Sequence, residues 1–203
     1  AFVFNRAVDF ELPWPTSHLA INDDAYHRAE IASGFNRQTT LSPLHGALIV
    51  SAVVNGGTPV EPTLVDRIVD EPGNPVYRSE PRFLRPAMSP QTADVLDQLM
   101  VATVSNGTAR KVFRGHSRSK VLSHLKLGGK TGSIFNRAHD ARFDWFVGFA
   151  TEKDGTETIV VSVVVAHVKY IGIRAGEYAR MAIEHYFKDY FAREKQARPE
   201  SSG

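Results

Sequence analysis

Apolar positions along this chain change period several times, and each change marks an element. In LSPLHGALIVSAVVNGG the body is apolar nearly all round, which predicts a buried helix. Ser42 is its expected N-cap, Pro43 its first residue, and Gly56-Gly57 its stop. VEPTLVDRIVDEPGNPVYRSE then alternates apolar and polar residues across a Pro-Gly-Asn-Pro turn and reads as a hairpin. A second helix is predicted over SPQTADVLDQLMVATVSNGTA, capped by Ser89, with Val95, Leu96, Leu99, Met100 and Thr103 facing inward. Three strands follow at Leu125–Ser133, Phe143–Thr151 and Thr156–His167, the last two joined by a tight EKDGT turn. Short connections make them antiparallel neighbours in that order. A last helix over Gly176–Phe191 carries an apolar stripe of Ala179, Ile183, Tyr186, Phe187 and Tyr190. Residues 1–40, with Pro13, Pro15 and Gly34 as breakers, read as irregular. The expected fold class is α+β, an antiparallel sheet with helices packed on its faces.

Composition narrows the function. At 203 residues the chain is long enough for one real core, and a formal net charge of +2 makes no case for a nucleic-acid partner. It has no cysteine, which removes disulfides, thiol catalysis and zinc–cysteine sites. Its eight histidines form no H-E-x-x-H and no close ligand pair, so no metal is expected. The longest near-continuous apolar run, Ile159 to Val168, is too short to span a bilayer.

The candidate chemistry lies in LKLGGKTGSIF, residues 125–135. A phosphate-binding loop of the form G-x-x-x-x-G-K-[ST] needs a glycine five places before Gly129, and His124 stands there. No helix opens after Ser133 either; IFNRAHDARFDWFVGFA leads into another strand. The glycines have a mechanical reading. Gly128 and Gly129 are expected to let the strand edge approach another backbone, and Gly132 to leave room for a substrate.

GGKTGSIFN…DWFVGFA resembles the lysine-threonine-glycine strand, loop and following strand of penicillin-binding proteins. TLSPLHGALIVSAVVNGGTPVEPTLVDRIVDEPGNPVY, MVATVSNGTAR and IRAGEYARMAIEHYF resemble further segments of that family, in its order, over residues 30–192. Residues 1–192 are therefore identified as the carboxy-terminal part of a penicillin-binding transpeptidase domain, with 193–203 a polar tail expected to be disordered. The resemblance implies that Lys130 and Ser133 are catalytic, Lys130 in the proton-transfer network and the Ser133 N–H in the oxyanion hole. It also implies that Thr131, Gly132 and Ser133 bind substrate, the two hydroxyls holding a ligand carboxylate. That arrangement calls for a local twist in the strand, because regular pleating puts Lys130 and the hydroxyls on opposite faces.

The family's nucleophile is the serine of an S-x-x-K motif at a helix start, upstream of the triplet, followed by an S-x-N motif. No asparagine here has a serine two places before it. S-x-x-K occurs only as Ser117–Lys120 and Ser123–Lys126, too close to the triplet for the family's order, and both are set aside. The resemblance thus implies a chain lacking the nucleophile motif and inactive alone, with an uncovered sheet surface that invites dimerisation. For the intact protein it implies a D,D-transpeptidase that cross-links D-alanyl-D-alanine stem peptides of peptidoglycan through an acyl-serine and is the target of β-lactams. No cofactor is implied, and the location is extracytoplasmic, with any membrane tether upstream. A D,D-carboxypeptidase, with water as acceptor, and a non-catalytic binding domain on the same fold remain the alternatives. Trp145 and His167 are read as packing residues, and Arg137, His139, Asp140 and Arg142 as a solvated charged loop.

Overall fold

The computed structural model describes residues 2–34, 36, 38–136 and 138–197. The chain divides into two compact units, Ala1–Ala93 and Asp94–Gly203.

In the first unit, α1 (Ala25–Ala32) and α2 (Pro43–Val54) precede a two-stranded antiparallel hairpin of β1 (Arg67–Val69) and β2 (Pro75–Arg78). The helix α2 forms as its sequence dictates. Ser42 Oγ accepts from the His45 N–H at 3.2 Å, and Leu48, Val50, Ala52 and Val53 are buried. Gly57 ends it at φ +104°, where an added Cβ would strike the Met88 carbonyl, so only glycine fits. Helix α1 corrects the irregular reading of residues 1–40. Asp24 caps it by accepting from the His27 N–H at 2.9 Å, yet none of its residues is buried. It carries no apolar stripe, so hydrophobic period could not reveal it.

Helix α3 (Pro90–Ser105) leads into the second unit. Ser89 Oγ accepts from the Thr92 N–H at 3.2 Å, the expected cap. Its inward face differs from the predicted one. Ala93 and Val104 are buried and Leu96 and Met100 half-buried, whereas Val95 and Leu99 are 54% and 58% exposed. The buried line runs through a small residue, Ala93, and a charged one, Asp97, which accepts from Lys126 Nζ at 3.0 Å. A stripe drawn through large apolar residues alone is therefore rotated off the true face.

The second unit is built on a sheet in the order β3-β4-β5: β3 (Leu125–Phe135), β4 (Arg142–Glu152) and β5 (Thr158–His167), all antiparallel as expected. The final helix α4 (Ala175–Ala197) continues past its predicted end at Phe191 through residues that favour helix, and takes in residues 193–197. Residues 198–203 lie outside the described residues. Ala175, Ala179, Ile183 and Phe187 of α4 pack with Leu125, Leu127, Phe146 and Ala150 of the sheet, together with Phe113 and Leu122, in one buried cluster. Each large side chain so buried contributes about 1.5–3 kcal/mol. Among the described residues no helix is long and apolar enough to cross a membrane.

Candidate active site

The triplet lies on β3, whose pairing with β4 runs unbroken from Leu125↔Glu152 to Phe135↔Arg142. No bulge interrupts it, so the expected local twist is not what brings lysine and hydroxyls together. Lys130 shares a face with its partner Val147, and Thr131 and Ser133 share the other with Phe146 and Asp144.

They meet at the strand's open edge. Among the described residues β3 has a neighbour on one side only. The phase of the ladder follows from its ends. The Asn136 N–H donates to the Ala141 carbonyl at 2.9 Å, and the Lys153 N–H donates to the His124 carbonyl at 2.9 Å. Both are bonded pairs in the same register, and in antiparallel pairing bonded and non-bonded pairs alternate. Even-numbered residues of β3 therefore direct their backbone polar groups to β4. Odd-numbered ones, including Thr131 and Ser133, direct theirs to the open edge. The exposed Lys130 bends round to that edge, where its Nζ donates to the Thr131 carbonyl at 2.7 Å. An ammonium, a carbonyl and the outward N–H of Ser133 thus line one strip of backbone.

The hydroxyls are held on the other face. Thr131 Oγ1 lies 2.8 Å from Thr108 Oγ1 in the loop after α3. Ser133 Oγ donates to Asp144 Oδ1 at 3.3 Å and accepts from Arg142 Nη2 at 3.0 Å. Asp144 is buried at 3% exposure and receives a fork from Arg174, Nε to Oδ2 at 2.8 Å and Nη2 to Oδ1 at 2.6 Å, plus the Ala175 N–H at 2.9 Å. Burial pushes its carboxyl up, but the Arg174 bonds, the Ala175 N–H and the guanidinium charge outweigh that and hold it below the usual carboxylate range.

The glycines serve aromatic rings rather than another backbone. A Cβ on Gly128 would enter the Phe149 ring and one on Gly129 the Phe146 ring, while one on Gly132 would come 3.3 Å from Trp145 Cβ. Sequence reasoning missed Asp144 and Arg174, thirty positions apart and joined only by the fold. It also read Arg142 as solvated, though Arg142 is the first residue of β4 and grips Ser133. Within the same predicted loop, Asp140 accepts from Asn136 and His139 stacks on Phe135, while Arg137 lies outside the described residues. Ser117 and Ser123 sit in three-residue 3-10 turns, and Lys126 is on β3. A cavity of about 720 Å³ in the first unit, walled by Asp9, Glu11, Glu61, Tyr77 and Arg82, holds none of the triplet.

Comparison with known proteins gives the same family as the triplet. The model of the penicillin binding protein transpeptidase domain matches residues 4–184. Stage V sporulation protein D of Bacillus subtilis is 24% identical over 66% of this chain and 20% of its own length. Peptidoglycan D,D-transpeptidase PbpA of Mycolicibacterium smegmatis is 27% identical over 63% of this chain and 25% of its own. The chain thus spans a quarter or less of the length of these relatives. Penicillin-binding protein A from Mycobacterium tuberculosis, solved as an imipenem acyl-enzyme complex, superposes with a TM-score of 0.73 at 22% identity, over 91% of this chain and 40% of that one. The D,D-transpeptidase domain of a peptidoglycan glycosyltransferase from Eggerthella lenta does so with a TM-score of 0.64 at 22% identity, over 91% and 46%. These structural likenesses establish the fold, and the match across residues 4–184 establishes the family: the chain belongs to the penicillin-binding protein transpeptidase domains.

Proposed function

We propose that the intact protein is a serine-type D,D-transpeptidase that acts outside the cytoplasmic membrane on the D-alanyl-D-alanine ends of peptidoglycan stems and is acylated by β-lactams. The observation that carries this reading is the open edge of β3, where Lys130 Nζ is held at the Thr131 carbonyl and the Ser133 N–H points outward. An acyl-transfer reaction develops negative charge on the attacked carbonyl oxygen, and a preorganised cation and N–H favour that charge. In this reading Lys130 supplies positive potential and takes part in proton transfer. The Ser133 N–H is one oxyanion donor, and Thr131, Gly132 and Ser133 form the wall along which the peptide or β-lactam lies. Two relatives support it by name, one as a D,D-transpeptidase and one as an imipenem acyl-enzyme. In this reading the nucleophilic serine is not among these 203 residues, and the placement of Ser117 and Ser123 in 3-10 turns rather than at an α-helix start supports setting both S-x-x-K motifs aside. The chain alone therefore forms no covalent penicillin adduct, and intact-mass spectrometry after incubation with benzylpenicillin checks this.

The direct test is acylation of the intact protein by a fluorescent penicillin. Lys130→Ala is expected to slow it about a hundredfold or more, the scale for losing a key electrostatic contact. A near-normal rate in that variant would remove Lys130 from the chemistry and sink the reading.

A further inference from the structure

Asp144 is the one acidic residue with a fully buried side chain among the described residues. It occupies the core face of β4, two positions from Phe146, where the pleat calls for an apolar residue. A carboxylate persists there only because other bonds replace its water. Arg174 and the Ala175 N–H already give both oxygens charge-assisted partners. The bond from Ser133 adds little to that burial. Its effect falls on Ser133.

Ser133 has one hydroxyl proton, and it goes to Asp144 Oδ1. A lone pair of the same oxygen takes the Arg142 Nη2 proton. The side chain is therefore held from two sides at the point where β3 loses its cover. Beyond it, Ile134 is 46% and Phe135 54% exposed. The Asp144 carboxylate cannot rotate away, because the Arg174 fork fixes both of its oxygens and comes from the residue before α4.

We propose that Asp144 is a positioning residue for acyl transfer: through Ser133 Oγ it holds the Ser133 backbone N–H at the open edge of β3, aimed at the oxygen that becomes negative. The proposal rests on the functional reading above, and adds to it a device the triplet does not contain. An oxyanion donor is effective because its direction is set before charge develops. Here the ladder turns the N–H to the edge, and a carboxylate that touches no substrate holds the residue in place from the core.

The test uses the intact protein and stopped-flow acylation by a fluorescent penicillin, which separates the dissociation constant of the encounter complex from the limiting acylation rate. Asp144→Asn is expected to lower the limiting rate roughly tenfold, less than outright loss of an oxyanion donor, and to leave the dissociation constant unchanged. Ser133→Ala keeps the N–H but removes the hydroxyl, and is expected to lose the same factor. The double variant is expected to be no slower than either single one, because both cut the same link. Multiplying losses would overturn the proposal, as would a normal limiting rate in Asp144→Asn whose thermal midpoint alone has dropped. If Asp144→Asn does not fold, Arg174→Lys keeps the charge and removes the fork. It should slow acylation with Ser133 present and have no effect in Ser133→Ala; equal slowing in both backgrounds counts against the link. Normal acylation of Lys130→Ala is a separate result. It overturns the functional reading and this proposal with it.

Discussion

Two opposed effects meet at Asp144, and their balance has a consequence for stability that needs no substrate. Burial disfavours the charged carboxylate; Arg174, the Ala175 N–H and Ser133 favour it more, so the folded pKa lies below the unfolded one. A group depressed on folding stabilises the fold fully above its unfolded pKa, about 3.9 for aspartate, and loses that contribution as pH falls through the folded value. Asp144→Asn should therefore melt below the parent at neutral pH, with Arg174 left unpaired, and the gap should narrow as the medium is taken below about pH 3.9. Thermal midpoints of both proteins at neutral and strongly acid pH measure this. A gap that stays constant, or widens in acid, would mean that the carboxylate is not paired in solution. The same residue marks the limit of what sequence could give at this scale. Lys130, Thr131 and Ser133 stand out as candidates because they are contiguous and their flanks come in a recognisable order. Asp144, Arg142 and Arg174 become one group only when β3, β4 and the start of α4 are laid side by side, and their positions along the chain hold no local sign of it.

At the level of elements, the glycine pair of β3 is a packing device. Phe146 is fully buried, touches Phe113 at 5.7 Å between ring centroids, and lies where a side chain on Gly129 would go. It has nowhere to retreat. Gly129→Ala should cost about 1–3 kcal/mol, the range for overpacking a tight core, and Phe146→Leu in the same chain should restore part of the loss. Denaturant titration reads both, and a Gly129→Ala variant as stable as its parent would show that the ring is free to move. Elements legible in the sequence are those whose caps and apolar period agree. Ser42 and Pro43 announce α2, and alternation with short turns gives three strands in their correct order. Elements or faces that went unread lack that agreement. The short helix α1 buries nothing, so only its Asp24 cap could have betrayed it. In α3 the buried line passes through Ala93 and Asp97, which a search for large apolar residues skips. The far end of α4 has helix propensity without an apolar stripe, and propensity alone was not enough to extend it.

For the molecule as a whole, the two edges of the β3-β4-β5 sheet are unequal. On β3, Lys126 and Lys130 keep charge along the strand, a common guard against pairing with another chain. On β5 the run from Ile159 to Ala166, IVVSVVVA, has no charge, no proline and a high share of β-branched residues. Its outer edge has no neighbouring strand among the described residues, and its residues from Ile159 to Val165 are half-buried, on both faces of the sheet. Net charge gives little protection, since +2 spread over 203 residues repels weakly. The chain on its own should therefore self-associate through β5, edge to edge. Val164 faces away from α4, on the side of its partner Trp145, so Val164→Lys can add a charge to the strand without disturbing the core cluster. In sedimentation velocity the parent's average mass should rise with concentration into the high micromolar range, where exposed edges pair, while Val164→Lys stays monomeric with a thermal midpoint close to the parent's. A parent that remains monomeric throughout would show that the twist of the sheet or the neighbouring loops already guard this edge. Association that persists in Val164→Lys would place the contact elsewhere, on the exposed hairpin β1–β2 with its Ile68, Val76 and Tyr77.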